Sequence, residues 1–106
     1  MECRREHDRI PCDLRCWCES EQTTAYLKMA NVSRGGCFIR TAIPFTPGDH
    51  VVVSFTTPGY QAISVEAEVV WAVTTPDMRT TMNTGMGLKF LHFVQGEQGF
   101  QGWIDC

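Results

Sequence analysis

The stretch ISVEAEVVWAV, residues 63–73, alternates apolar and polar side chains. An extended chain puts Ile63, Val65, Ala67, Val69, Trp71 and Val73 on one face and Ser64, Glu66 and Glu68 on the other. A period of two fits a half-buried strand and would spread the same residues around a helix. By that parity Trp71 belongs to the core. Similar runs occur at IPCDLRCWC, AYLKMAN, GCFIRT, DHVVVSFTT and GMGLKFLHF, giving six strand candidates. Pro47-Gly48 and Pro58-Gly59 each suit the central pair of a type II turn. Short strands at even spacing predict an all-β antiparallel barrel or sandwich.

At 106 residues the chain is long enough for one domain. Its 43% hydrophobic and 20% charged residues are those of a globular protein, and no apolar run is long enough to span a bilayer, so membrane insertion is not expected. The first ten residues, MECRREHDRI, carry charge with no apolar segment behind them, which points away from a secretory signal and towards a cytoplasmic protein. The six cysteines then read as reduced thiols. Cys12, Cys16 and Cys18 share parity with Leu14, opposite Asp13, Arg15 and Trp17, so they pack as small hydrophobes while Trp17 faces outward. The competing reading is a zinc protein built on those three thiols, but no second pair of suitable spacing accompanies them and no metal is expected. Cys3 and Cys106, near the termini, are the candidates for reactive thiols.

The longest connection, 74–84, is polar and Thr-rich and reads as a surface hairpin loop, with Met78 and Met82 as possible partner contacts. Phe100, Trp103 and Ile104 lie at helical spacing near the end of the chain. Gly96, Gly99 and Gly102 each oppose a helix there by about 1 kcal/mol, so it must rely on packing its aromatic side against the sheet.

Net charge is -3, which argues against affinity for polymeric nucleic acid. Arginine nevertheless outnumbers lysine seven to two, with Arg4, Arg5 and Arg9 crowded at the start, so directional donors matter more than diffuse charge. Arg5 and Arg9 form Arg-x-x-x-Arg, suited to phosphates or the O6/N7 edge of guanine, though such a pair arises by chance about 0.4 times in this composition. NVSRGG, residues 31–36, holds Asn31-x-Ser33-x-x-Gly36, expected only about 0.02 times. Gly35-Gly36 permits positive φ, so part of the segment is a turn. If 31–33 are extended, Asn31 and Ser33 present an amide and a hydroxyl on one side, beside a glycine backbone open to a ligand. No nucleophile with an adjacent base, paired catalytic carboxylates or P-loop is present, and the three histidines form no catalytic pairing, so no catalytic residue is assigned.

RREHDR, then NVSRGG, then a strand carrying GMGLKFL resembles the PilZ domain family, receptor modules for cyclic di-GMP, from about Arg4 to Phe93. The resemblance implies a six-stranded antiparallel, Greek-key-like β-barrel with an N-terminal arm and a short C-terminal helix. On this chain that gives a single domain over 1–106, with the ligand-binding arm at 1–9, the barrel at 10–93 and the helical segment at 94–106. It further implies that Arg5 and Arg9 hold guanines and phosphates, that Asn31 and Ser33 bond to a guanine and the sugar-phosphate ring, and that Gly36 allows close approach. Arg4, Arg34 and Gly35 take accessory roles, Arg34 either contacting a phosphate or facing water.

The expected function is therefore a non-enzymatic, cytoplasmic receptor whose arm orders on binding cyclic di-GMP and changes contact with an unidentified protein partner. The alternative is a protein-interaction module on the same barrel without useful nucleotide affinity, its arginines neutralised by Glu2, Glu6 and Asp8. The glycine-punctuated C-terminal helix departs from the family pattern and bears on partner contact.

Overall fold

The structure, a computed structural model, describes residues 9–74 and 84–105. The first eight residues, including Arg4 and Arg5, most of the Thr-rich loop with Met78 and Met82, and Cys106 lie outside the described residues. All six strand candidates form strands: β1 (Ile10–Glu19), β2 (Thr24–Ser33), β3 (Gly36–Arg40), β4 (His50–Thr56), β5 (Ala62–Val73) and β6 (Gly85–Gln95), followed by helix α1 (Glu97–Ile104). They close into an antiparallel barrel in the order β1-β2-β3-β6-β5-β4. Because β4 returns from the end of β3 to pair with β1, the run β4-β1-β2-β3 is a Greek key. No helix among the described residues is long and apolar enough to cross a membrane.

Alternation dictates the interior. Cys16, Cys18, Val53, Val65 and Val69 point inward and are buried, while Asp13, Arg15 and Trp17 face out. Helix α1 contributes to the same core: Phe100 is 1% exposed and packs against Phe55, Phe90 and Phe93, with Ile104 buried one turn later. Burying one such aromatic side chain is worth about 1.5–3 kcal/mol, comparable to the penalty of the two glycines inside the helix.

Two register shifts re-aim side chains, and one of them corrects an expectation. Trp71 is not in the core. Val69 pairs with Leu88 but Trp71 pairs with Gly87, so Val70 is an extra residue in β5 that turns Trp71 outward, leaving it 42% exposed; Val73 is exposed for the same reason. The second shift, between Met29 and Asn31, makes Met29 and Val32 the inward residues of β2 and sends Asn31 to the outer face.

The turns divide similarly. Thr46–Asp49 closes with an Asp49 N–H bond to the Thr46 carbonyl and Gly48 at φ 97°, as a type II turn requires. At Pro58-Gly59 the expectation fails: the left-handed residue is Tyr60, φ 68°, not Gly59. The Tyr60 N–H bonds to the Thr57 carbonyl and the Gln61 N–H to Thr57 Oγ1, so the turn is completed before the positive-φ residue rather than by it.

Candidate functional site

The NVSRGG segment is the end of β2, a tight turn and the start of β3. Ser33 pairs with Gly36 across Arg34 and Gly35, and residues 31–33 are extended. Neither Gly35 nor Gly36 lies at positive φ. What Gly36 supplies is space. A Cβ there would stand 2.1 Å from the Leu88 carbonyl oxygen, so β6 can pass only a residue without one. The Gly35 carbonyl also accepts a bond from the Phe90 N–H at 2.8 Å, fastening the turn to β6.

Asn31 is half-buried on the outer wall, and its Oδ1 accepts a hydrogen bond from Arg9 Nη1 at 2.9 Å. Two motifs 22 positions apart in sequence thus meet in one contact. Ser33 faces the same side but is only 8% exposed, its hydroxyl donating to the Gly36 carbonyl at 3.5 Å. Arg34 is exposed at the turn but is not left to water alone. Its Nη2 pairs with Asp105 Oδ1 at 2.5 Å, at the end of α1, a partner that sequence spacing gives no means of finding. An open groove of about 640 Å³ runs beside the turn, bounded by Ser33, Arg34 and Gly35, by the outer side of β6 near His92, and by Glu97 and Gln101 of α1.

Next to Asn31 lies an aromatic pair, Phe38 and Trp71, on the outer wall where parity alone had put Trp71 in the core. Asn31 is paired with Phe38, Phe38 with Gly87 and Gly87 with Trp71, forming one lateral row across β2, β3, β6 and β5. The Phe38 and Trp71 rings are inclined by 20° with centroids 5.4 Å apart. They occupy space left by two glycines: a Cβ on Gly87 would meet the indole at 2.2 Å, and one on Gly85 the Phe38 ring at 2.6 Å. The Gly85-x-Gly87 spacing was the available signal. Trp17 is exposed as expected but pairs with Tyr26 on the β1–β2 wall, at 4.7 Å between centroids.

Of the four described cysteines, Cys16, Cys18 and Cys37 are buried in the interior and Cys12 is half-buried beside them, while Cys3 and Cys106 lie outside the described residues. Burial pushes the Cys12 thiol up to about 11, and it donates weakly to the Met29 carbonyl at 3.5 Å. Cys18 is raised by its hydrogen bond with Cys16 and by burial; Cys37 is raised by burial, against a small opposing effect of the Arg9 charge. Among the described residues no group of three or more His, Cys, Asp or Glu side chains is arranged to hold a metal ion.

The family model for the PilZ domain matches residues 4–101. Among solved structures, the Bacillus subtilis inhibitor of motility, MotI/DgrA, superposes with a TM-score of 0.73 at 21% identity, over 95% of this chain and 48% of that one. The PilZ domain of CeSA from a cellulose-synthesizing bacterium superposes with a TM-score of 0.62 at 14% identity, over 86% and 85%. The chain spans about half the length of the B. subtilis protein, 48%. At these identities the likeness is one of fold. No curated protein matches the chain.

Proposed function

Since the chain belongs to the PilZ domain family, its model matching residues 4–101, we infer that it is a non-enzymatic receptor for cyclic di-GMP that passes the binding event to a protein partner. The observation that carries this reading is the Arg9–Asn31 hydrogen bond, which brings the first and second motifs together on one wall of the barrel. The ligand has two phosphates and two guanines. A guanidinium can bond either group bidentately, and the Asn31 amide can pair with a base edge once Arg9 turns to the ligand. Arg5, four residues before Arg9, would close over the ligand from the arm, and Ser33 would exchange its long bond to Gly36 for a shorter one.

Signalling needs a partner that distinguishes two states, and the arm and the Arg34–Asp105 pair are the elements whose contacts a phosphate would change. One fold neighbour is named an inhibitor of motility and another comes from a cellulose-synthesizing bacterium, so we assign partner choice to the surface rather than to the barrel. The test is titration calorimetry of the reduced protein with cyclic di-GMP and, separately, GTP. Saturable binding of the cyclic dinucleotide alone is the expected result, with native-state stabilisation of about 2.7 kcal/mol at a hundredfold excess over Kd. Absence of both heat and stabilisation overturns the receptor reading in favour of an interaction module, which the engagement of Arg34 by Asp105 would then explain.

A further inference from the structure

The wall formed by β2, β1 and β4 carries an aromatic pair of its own. Trp17 and Tyr26 stand directly opposite each other on β1 and β2, with planes inclined by 41°, and keep 50% and 53% of their surface open. Tyr26 is five residues along β2 from Asn31, about 15 Å, so the pair stands apart from the proposed nucleotide site. A cross-strand aromatic pair steadies a hairpin only slightly, which is little reason to expose two large rings. Their surroundings supply a better one. The Arg15 guanidinium lies over the Tyr26 ring, 6.0 Å from its centroid, and a guanidinium resting on a ring keeps its edge N–H groups turned to solvent. On the β4 side of Trp17 lies a shallow crevice of about 280 Å³, bounded by Ser54, Thr56, Ser64 and Gln95, and none of the described residues lining it carries a charge. The Ser54 and Ser64 hydroxyls are 3.4 Å apart, a long bond that leaves both able to turn to a ligand.

We propose that this wall docks a proline-rich segment of a protein partner, in the polyproline II conformation, with a carboxylate flanking its prolines. The docking surface rests on the part of the reading above that gives the chain a protein partner, and is independent of nucleotide affinity. Each part of the surface has its counterpart in such a segment. A pyrrolidine ring is apolar and rigid and lies flat on an exposed indole. The carbonyls of that helix have no internal bonds, so they accept from the hydroxyls of the crevice, and the carboxylate meets the edge of Arg15. The spacing agrees. Trp17 pairs with Ser54 and Ser54 with Ser64, so the indole and the far hydroxyl are two strand spacings, about 10 Å, apart, and one turn of polyproline II advances about 9 Å. Charge selects this partner over a broad anionic surface such as a membrane. Lys28, beside Arg15, is bonded to Asp13 at 3.1 Å, Glu19 stands further along β1, and the crevice is uncharged. One carboxylate finds a counterpart here; a layer of phosphates does not.

The experiment titrates the full reduced chain, by calorimetry, with a capped peptide of six prolines flanked by glutamates. Matched peptides carry lysines as flanks, or serines in place of the prolines. The expected result is saturable binding of the glutamate-flanked prolines with Kd of about 10–500 µM, and binding weaker by about tenfold or more for each control peptide. Trp17→Thr, which keeps a strand-forming residue, should lose about tenfold or more at a similar melting temperature. In Arg15→Glu the lysine-flanked peptide should become the better ligand. In a Trp71→Phe, Trp103→Phe background Trp17 is the single emitter, and its fluorescence should change with the same midpoint as the heat. If Trp17→Thr does not fold, that emission decides. No saturable binding to the parent at millimolar peptide, parent-like binding by Trp17→Thr, or emission unaltered at saturation overturns the docking surface, as does binding to phosphatidylglycerol vesicles alone. A parent that binds cyclic di-GMP but not the peptide loses this surface only. One that binds the peptide but not cyclic di-GMP keeps the surface and loses the receptor reading.

Discussion

Arg9 and Gly36 belong to the two motifs of the proposed site but respond to substitution in different ways. Arg9→Ala removes a guanidinium bonded to Asn31 and reachable by a ligand, so calorimetry should show cyclic di-GMP binding weaker by about 1.5–3 kcal/mol with little change in stability; unchanged affinity would contradict the role of Arg9. Gly36→Ala acts on the fold. Its Cβ would stand 2.1 Å from a backbone oxygen of β6, which cannot rotate away, so urea unfolding should show a loss of about 1–3 kcal/mol. A binding defect in that variant would then reflect a displaced turn rather than a lost ligand contact. Motif membership alone does not distinguish the two cases. The Arg9–Asn31 bond and the Leu88 carbonyl do.

Helix α1 carries its own prediction, because its two internal glycines have different surroundings. A Cβ at Gly102 meets nothing within 4 Å, so Gly102→Ala should stabilise the protein by up to about 1 kcal/mol, read as a rise in the unfolding midpoint. Asp105→Asn, which breaks the exposed pair with Arg34, should cost only about 0–1 kcal/mol, and that cost should shrink with added salt. At this scale much was legible beforehand. Alternation located all six strands, since each buries one face, and the spacing of Phe100 and Ile104 located the helix. The bulges were not legible. One extra residue, Val70, reverses the direction of Trp71, and it is fixed by pairing with β6, which the local sequence of β5 does not contain. The same limit hid Asp105 as the partner of Arg34, 71 positions away. Asn31 and Ser33 could be read as a pair because their spacing of two survives the bulge that precedes them.

Over the whole molecule the buried thiols tie stability to alkaline pH. Cys12 is raised from 9.0 to about 11 and Cys18 and Cys37 are raised as well, so the native state keeps protons that the unfolded chain releases. Such groups favour folding fully below pH 9, and their contribution is lost as pH rises. For reduced protein the melting temperature should therefore fall from about pH 9 to 11, with a shallower fall in Cys12→Ala; a flat profile over that range would contradict the burial of these thiols. The closure of the barrel has another consequence. Pairing β1 with β4 and β3 with β6 gives every strand a neighbour on each side, so among the described residues no strand presents an unpaired edge along its whole length. A partner that added a strand would have only part of an edge to extend, which favours recognition through side chains projecting from the wall or from α1. The preference for a partner would then rest on outward residues, which can be exchanged without disturbing the inward set that closes the barrel.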